Sequence, residues 1–140
     1  MQVELIRIDD AFHFEASGAS GVPVQIDAAQ DIGGHGAGAR PMELLLMGLG
    51  GCTAIDVLLI MKKQRQIVED LKISVSGERE KIEGTQMTPF RKINIHFQFK
   101  GATILEDKAQ KAIEMSMEKY CSATAQFSAS AEITHTFEIL

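Results

Sequence analysis

The sequence predicts an α+β domain in which an antiparallel sheet packs on two helices. Three observations indicate this class. Apolar and polar residues alternate in several short segments, as they do in half-buried strands. One long apolar segment and one amphipathic segment have the lengths and spacings of helices. The segments follow one another in the order βββ-α-ββ-α-β, which favours a sheet with helices on one side over a series of βα units.

Length and composition are those of one soluble domain. The chain has 140 residues, of which 45% are hydrophobic, and a formal net charge of −5. A chain of this size buries roughly two thirds of its surface on folding, so we predict a single domain over residues 1–140. The absence of a basic cluster excludes a nucleic-acid partner. We expect no secretory signal in the N-terminal segment MQVELIRIDD, and therefore a cytoplasmic location.

The first third of the chain predicts a meander of three short antiparallel strands. Apolar residues at alternating positions mark these strands: Ile6, Ile8, Phe12, Phe14, Val22, Val24 and Ile26. A glycine-rich segment, 33–38, follows them. It lacks the GK[ST] ending of a phosphate-binding loop, so we interpret it as a flexible approach to the first helix.

The long apolar segment predicts a central helix that begins at Pro41. Proline suits the first helical position, and Glu43 suits the first turn. The segment of residues 42–61 is long enough to cross a bilayer, but the carboxylates of Glu43 and Asp56 would be costly in lipid. We therefore predict a buried helix and no membrane partner. Because the helix is apolar almost all round, we expect cover from several sides, one of which a second subunit could supply.

The second half predicts two strands, a helix and a last strand. Residues 71–75 and 93–99 alternate in polarity and suggest a hairpin with one buried face. The second helix is expected over 105–120, with Thr103 as its cap and Glu106 completing a capping box. The last strand is expected over 132–139. The residues expected to face inward are Ile93, Ile95, Phe97 and Phe99 of one strand and Ile133, His135, Phe137 and Ile139 of the last.

Two cysteines are the main candidates for chemistry. Cys52 follows Gly50 and Gly51 inside the central helix, where each glycine costs about 1 kcal/mol relative to alanine. Such residues leave room beside the sulfur for another backbone or a small substrate. Cys121 follows the second helix. Each cysteine is either a small buried hydrophobe or half of a redox pair, and sequence alone does not establish their contact.

An attacking thiolate at Cys52 needs a cation or hydrogen-bond donors nearby. Arg40 is the nearest cation in the sequence, and Glu43 could orient it. Glu43 lies nine residues before Cys52, about 13 Å along a straight helix, so a contact would come from a second subunit. The alternative interpretations are a solvated loop residue for Arg40 and a helix-dipole partner for Glu43.

The spacing of potential ligands does not indicate a metal site. The chain has neither a C-x-x-C nor an H-x-x-x-H pattern, so we predict no metal and no cofactor. The missing C-x-x-C also disfavours a dithiol exchanger that acts on proteins.

Two segments resemble motifs of the OsmC/Ohr superfamily. Residues 40–57, RPMELLLMGLGGCTAIDV, are similar to its central-helix signature, and residues 118–124, EKYCSAT, to its second cysteine motif. The element order agrees as well, so the resemblance covers essentially the whole chain, and it is to the YhfA-like branch. It implies an OsmC-like fold: an intertwined homodimer with two long helices at its centre and sites at the subunit interface.

The resemblance also implies a peroxiredoxin-like hydroperoxide reductase that acts in oxidative-stress defence. By the family pattern, Cys52 attacks an organic hydroperoxide and becomes a sulfenic acid, and Cys121 condenses with it to a disulfide. A dithiol reductant, of the lipoyl type in the best-understood branch, then restores the thiols. That branch has a glutamate ten residues before the first cysteine, where this chain has Met42 beside Glu43. The alternative is an OsmC-like dimer that binds a small apolar ligand, with sensing or vestigial cysteines.

Overall fold

A computed structural model describes all 140 residues, and they form two compact units, Met1–Leu45 and Leu46–Leu140. Each unit is described by itself. The single domain expected over residues 1–140 stays a prediction.

The first unit contains a three-stranded antiparallel sheet. Its strands are β1 (Glu4–Arg7), β2 (Phe14–Ser17) and β3 (Val24–Ile26), in that spatial order. The predicted meander is confirmed. The guanidinium of Arg7 donates hydrogen bonds to the carbonyls of Asp10 and Ala11, which fixes the turn between β1 and β2.

The glycine-rich segment of the first unit is anchored by one carboxylate. Asp27 is 1% exposed and accepts hydrogen bonds from the backbone N–H groups of Ala28, His35 and Ala37, at 2.8, 2.9 and 3.1 Å. A Cβ at Gly34 would overlap the carbonyl of Ala28, so only glycine fits there. The interpretation as a flexible approach is therefore wrong, because the buried carboxylate of Asp27 holds the segment through its backbone N–H groups.

Helix α1 (Pro41–Lys63) begins at the predicted proline and continues into the second unit. Its buried residues in that unit lie on one face: Leu49, Gly50, Thr53, Val57, Ile60 and Met61. The opposite face is apolar and exposed in a single chain, so the expected cover of this face by a second subunit stays a prediction. By length and composition α1 could also cross a membrane, a test that core helices of soluble proteins pass too.

The second unit contains a mixed sheet in the order β4-β5-β6, formed by Asp70–Arg79, Phe90–Lys100 and Glu132–Ile139. β4 and β5 are antiparallel, as the predicted hairpin requires, and β5 buries its predicted face. β6 instead pairs with β5 in parallel. The expected antiparallel sheet is thus corrected at this strand, because the helices between β5 and β6 carry the chain back across the sheet.

The predicted second helix is divided into two parts, and a further short helix follows it. Helix α2 (Glu106–Met115) is followed by a π-helical turn (Ser116–Tyr120) and by a short helix, α3 (Ser122–Ser128), which was not predicted. The capping box is wrong: Leu105 stands at the N-cap without a side-chain bond, and its N–H donates to Oε1 of Gln66 at 2.9 Å. Helix α2 buries Ala109, Ala112 and Ile113.

Candidate functional site

Three reactive side chains of the second unit converge on one point. The Sγ atoms of Cys52 and Cys121 and a carboxylate oxygen of Asp56 all lie within 4.8 Å of one another. Cys52 and Asp56 are four residues apart on α1, so one helical turn puts them on the same face. Cys121 comes from the junction between the π-helical turn and α3. The two predicted cysteines are therefore neighbours, and both are free thiols.

Backbone hydrogen bonds hold Cys121 in place. Its N–H donates to the carbonyl of Ser116 at 2.7 Å and closes the π-helical turn. It is also the N-cap of α3, where its Sγ accepts a hydrogen bond from the N–H of Thr124 at 3.3 Å. Single π-helical turns inside helices are frequent at functional sites. Here the π-helical turn ends α2 and places the sulfur of Cys121 against α1.

The two thiols differ in their access to solvent. Cys52 is half-buried, whereas Cys121 is 5% exposed. Burial raises the pKa of the Cys121 thiol, the side chain and the N–H of Thr124 oppose the rise as hydrogen-bond donors, and Cys52 beside it adds to the rise. Burial acts by removing water from the charged sulfur, whereas Cys52 acts through its proximity. The thiolate form of Cys121 is therefore disfavoured.

Asp56 is the member of the cluster that the sequence analysis missed. It was considered only as a residue too costly for lipid, although the C-x-x-x-D spacing on a predicted helix was a usable signal. Its Oδ2 accepts a hydrogen bond from Oγ of Ser116 at 3.3 Å, and Ser116 is fully buried. The bond orients the carboxylate and ties α1 to the π-helical turn.

The other two predicted site residues, Arg40 and Glu43, belong to the first unit, whereas the cysteines belong to the second. Oε2 of Glu43 accepts a hydrogen bond from the backbone N–H of Arg40 at 3.1 Å. The Glu43 carboxylate therefore pairs a free backbone N–H at the start of α1. It does not orient the guanidinium of Arg40, which corrects the orienting role predicted for Glu43. The expected contact of either side chain with Cys52 stays a prediction.

Comparison with known proteins settles the family. The model of the OsmC-like protein family matches residues 34–136, which include both cysteine motifs. The chain belongs to the OsmC-like family. The relationship predicted from the two motifs is therefore confirmed. Protein YhfA of Escherichia coli is 38% identical over 100 residues, which cover 71% of this OsmC-like chain and 72% of YhfA.

Solved structures share the fold of this OsmC-like chain along its length. A hypothetical protein from Aquifex aeolicus is 30% identical, with a TM-score of 0.79 over 99% of this chain and 96% of that one. The organic hydroperoxide resistance protein OhrB of Bacillus subtilis is 18% identical, with a TM-score of 0.70 over 98% of this chain and 96% of OhrB. The predicted α+β class and the OsmC-like fold of the chain are thus confirmed, and the intertwined homodimer stays a prediction.

Proposed function

We propose that this OsmC-like chain is a cytoplasmic thiol peroxidase that reduces organic hydroperoxides in defence against oxidative stress. The observation that carries the proposal is the approach of the Cys52 and Cys121 sulfurs to within 4.8 Å. A disulfide joins sulfurs about 2 Å apart, so modest side-chain rotations would be enough to form one. The fold shared with a protein named for organic hydroperoxide resistance supports the substrate class.

Cys52 is the proposed attacking residue, because its sulfur is the more accessible of the two. Its thiolate donates an electron pair to one peroxide oxygen, and the O–O bond breaks. The released alkoxide takes up a proton and leaves as an alcohol. Cys52 is left as a sulfenic acid, one step up the oxidation ladder of cysteine.

Cys121 is the proposed resolving residue, since it is buried directly beside the sulfenic acid. Its sulfur attacks the sulfur of Cys52, the S–S bond forms and the S–O bond breaks. The leaving hydroxide combines with the proton that Cys121 gives up and departs as water. A dithiol reductant then restores both thiols by exchange and becomes a disulfide itself.

We also propose that the protein acts as a homodimer through the exposed face of α1. Met47, Ile55, Leu58 and Leu59 form this face around Gly48 and Gly51, at which an added Cβ would meet nothing within 4 Å. Such a surface, with large apolar residues around small ones, suits close packing of two helices. Cys52 follows Gly51 at the edge of the face, so a second copy would close one side of the site and keep its entrance apolar.

The decisive measurement follows the consumption of cumene hydroperoxide with dihydrolipoamide as the dithiol. The wild-type protein is expected to turn over, and Cys52→Ser to be inactive because no other thiol is accessible. Cys121→Ser is expected to react once and to stop at a sulfenic acid, which dimedone traps. Undiminished turnover by Cys52→Ser would remove the basis of the proposal.

Mass spectrometry after one equivalent of cumene hydroperoxide tests the disulfide directly. The expected product is a Cys52–Cys121 cross-linked peptide that has lost two hydrogens. In Cys121→Ser, which serves as the control, the cross-link is absent and Cys52 carries one added oxygen. Oxidation that never links the two peptides would contradict the resolving role of Cys121.

The exposed apolar face of α1 also favours a second candidate function, the binding of a small apolar ligand by an OsmC-like dimer. In that case the wild-type protein would consume no hydroperoxide, and native mass spectrometry would detect an apolar molecule bound to it. The peroxide assay therefore separates the two candidates.

A further inference from the structure

The peroxidase mechanism uses Cys52 and Cys121 but gives no role to Asp56, which converges on the same point. Two sulfurs and a carboxylate oxygen, all within 4.8 Å of one another, are the ligands that zinc takes in proteins. Thiolates also select zinc over magnesium and calcium, which prefer oxygen ligands. We propose that the reduced site binds a thiophilic divalent cation, for which Zn²⁺ is the natural probe, through these three side chains.

The distances suit such an ion. Two thiolates bound to one tetrahedral zinc lie about 3.8 Å apart, since each Zn–S bond is about 2.3 Å long. The separation of the two sulfurs, at most 4.8 Å, thus requires a contraction of about 1 Å or less, which side-chain rotations supply. Cys52 and Asp56 are fixed one turn apart on α1, as the paired ligands of helical zinc sites are.

Two of the three ligands already have the outer hydrogen bonds typical of metal sites. Ser116 Oγ donates to one oxygen of Asp56 and leaves the other free, and the N–H of Thr124 donates to the sulfur of Cys121. Such partners orient metal ligands and hold the ion more tightly. The sulfur of Cys52 is the half-buried ligand, and it leaves an entry path from solvent.

The hydroxyl of Thr124 lies beside the cluster. It adjoins the Cys121 sulfur and acts on it as a hydrogen-bond donor, and its Oγ1 is buried with no oxygen or nitrogen partner. Three protein ligands leave the fourth position of a tetrahedral zinc to water, and that water would be an oxygen partner for this hydroxyl.

The predicted absence of a metal site rested on local spacing. Cys52 and Asp56 are close in the sequence, but Cys121 is brought to them by the fold, so no short motif contains all three. Binding displaces the thiol protons to solvent, because only deprotonated sulfur is a zinc ligand.

A bound ion would also control the proposed peroxidase, and this consequence rests on the proposed function. Zinc engages the sulfur electron pair that Cys52 needs for attack, so the metal-bound site is expected to be inactive. Conversely, formation of the disulfide passes two electrons from the sulfurs to the hydroperoxide, which takes up two protons and yields an alcohol and water. The oxidised site has lost both thiolate ligands and is expected to release the ion.

The test is a titration of the reduced, full-length protein with Zn²⁺ in competition with a chromophoric chelator and without peroxide. Wild-type protein is expected to bind one ion per chain. Cys52→Ser and Cys121→Ser each remove a thiolate and should weaken binding roughly 100-fold or more, and Asp56→Asn and Ser116→Ala roughly 10- to 100-fold. The matched controls are Asp107→Asn and Ser128→Ala, two exposed positions on α2 and α3, which should bind as the wild type does.

Co²⁺ supplies a second readout that needs no enzyme activity. Sulfur-to-cobalt charge-transfer absorption should be present in the wild type, reduced in either cysteine variant and absent after oxidation with diamide. Failure of the reduced protein to compete for Zn²⁺, or wild-type affinity in Asp56→Asn, would overturn the inference. Because the titration contains no hydroperoxide, its failure is distinguishable from a failure of the peroxidase, which is assayed with a chelator present.

Discussion

The fold buries Cys52 and Cys121 to different degrees, and the roles we propose for them follow from that difference. Burial and the neighbouring Cys52 raise the pKa of the Cys121 thiol, whereas Cys52 is only half-buried. Asp56 adds a negative charge to the same point, whereas activation of a thiolate needs a positive one. The activating charge therefore has to be supplied from outside this cluster, and Arg40 of a second copy is our candidate.

Asp27 provides the residue-scale prediction, on acid stability. The N–H groups of Ala37 and His35 lower the pKa of its carboxyl in the folded chain. A lowered folded pKa means that the charged form stabilises the fold above the unfolded value of about 3.9 and that this contribution disappears as pH falls through the folded value. We expect Asp27→Asn to be less stable than wild type at pH about 7, with the difference shrinking as pH falls below about 4.

Urea unfolding followed by circular dichroism at several pH values measures this difference. The control is Asp31→Asn. Asp31 is an exposed aspartate in the nearby 3₁₀ helix Gln30–Ile32, so its replacement should leave the unfolding curve the same as that of the wild type. A penalty for Asp27→Asn that stays the same at low pH would contradict the anchoring role of the carboxylate.

At the scale of elements, α1 has two faces with different partners. One face packs inside the chain, and at Gly50 an added Cβ would come within 3.0 Å of Cγ2 of Val75 on β4. The opposite face is as apolar but meets nothing in a single chain. Exposed apolar patches of this kind mark sites of association, so the helix links the core of one chain to the surface we assign to a second copy.

Replacement of Ile55 tests that assignment. Ile55 lies on the exposed face of α1 at 62% exposure, and Ile55→Asp would bury an unpaired charge in each half of the dimer interface. We expect the dissociation constant of the dimer to rise roughly 100-fold or more. Sedimentation velocity across a range of concentrations measures this rise.

Ile67→Asp is the matched control, because Ile67 is similarly exposed at 68% but lies beyond the end of α1. It should sediment as the wild type does. Equal behaviour of the two variants, or a monomeric wild type, would show that the face of α1 is not the interface.

Some elements of the fold were predictable from the sequence and others were not, for physical reasons. The β4–β5 hairpin and α1 were predictable, because period-2 alternation and an N-terminal proline are local signals. The parallel pairing of β6 was not, since it depends on where the helices before it return the chain. The π-helical turn at 116–120 and helix α3 were also missed: the first is a backbone irregularity and the second is too short for a periodic pattern.

At the scale of the whole molecule, the same limit applies to the site. The two cysteines were identifiable as candidates, but their separation by 69 positions left their contact open until the fold brought the sulfurs together. Asp56 was recoverable from its helical spacing to Cys52, whereas Ser116 and Thr124 had no signal of their own. Residues that act through long-range contacts become visible only after the chain is folded.

The proposed homodimer leads to a prediction about the stability of the whole molecule. If each chain covers the apolar face of the other, unfolding also separates two chains, so higher protein concentration favours the folded dimer by mass action. A tenfold increase in protein concentration raises the free energy of unfolding of the dimer by about 1.4 kcal/mol. With the usual unfolding entropy per residue, two chains of 140 residues should gain about 2 °C in Tm for each tenfold increase. Scanning calorimetry at concentrations roughly 100-fold apart should therefore resolve a rise of about 4 °C.

Ile55→Asp provides the internal control for this measurement. As a monomer it should unfold at a lower temperature that does not depend on concentration, whereas Ile67→Asp should keep the wild-type dependence. Scans at two heating rates separate this equilibrium effect from irreversible aggregation, which makes the apparent Tm depend on the scan rate. A wild-type Tm that is independent of concentration would mean that each chain unfolds alone. In that case the apolar face of α1 would need another partner, such as the small ligand of the alternative function.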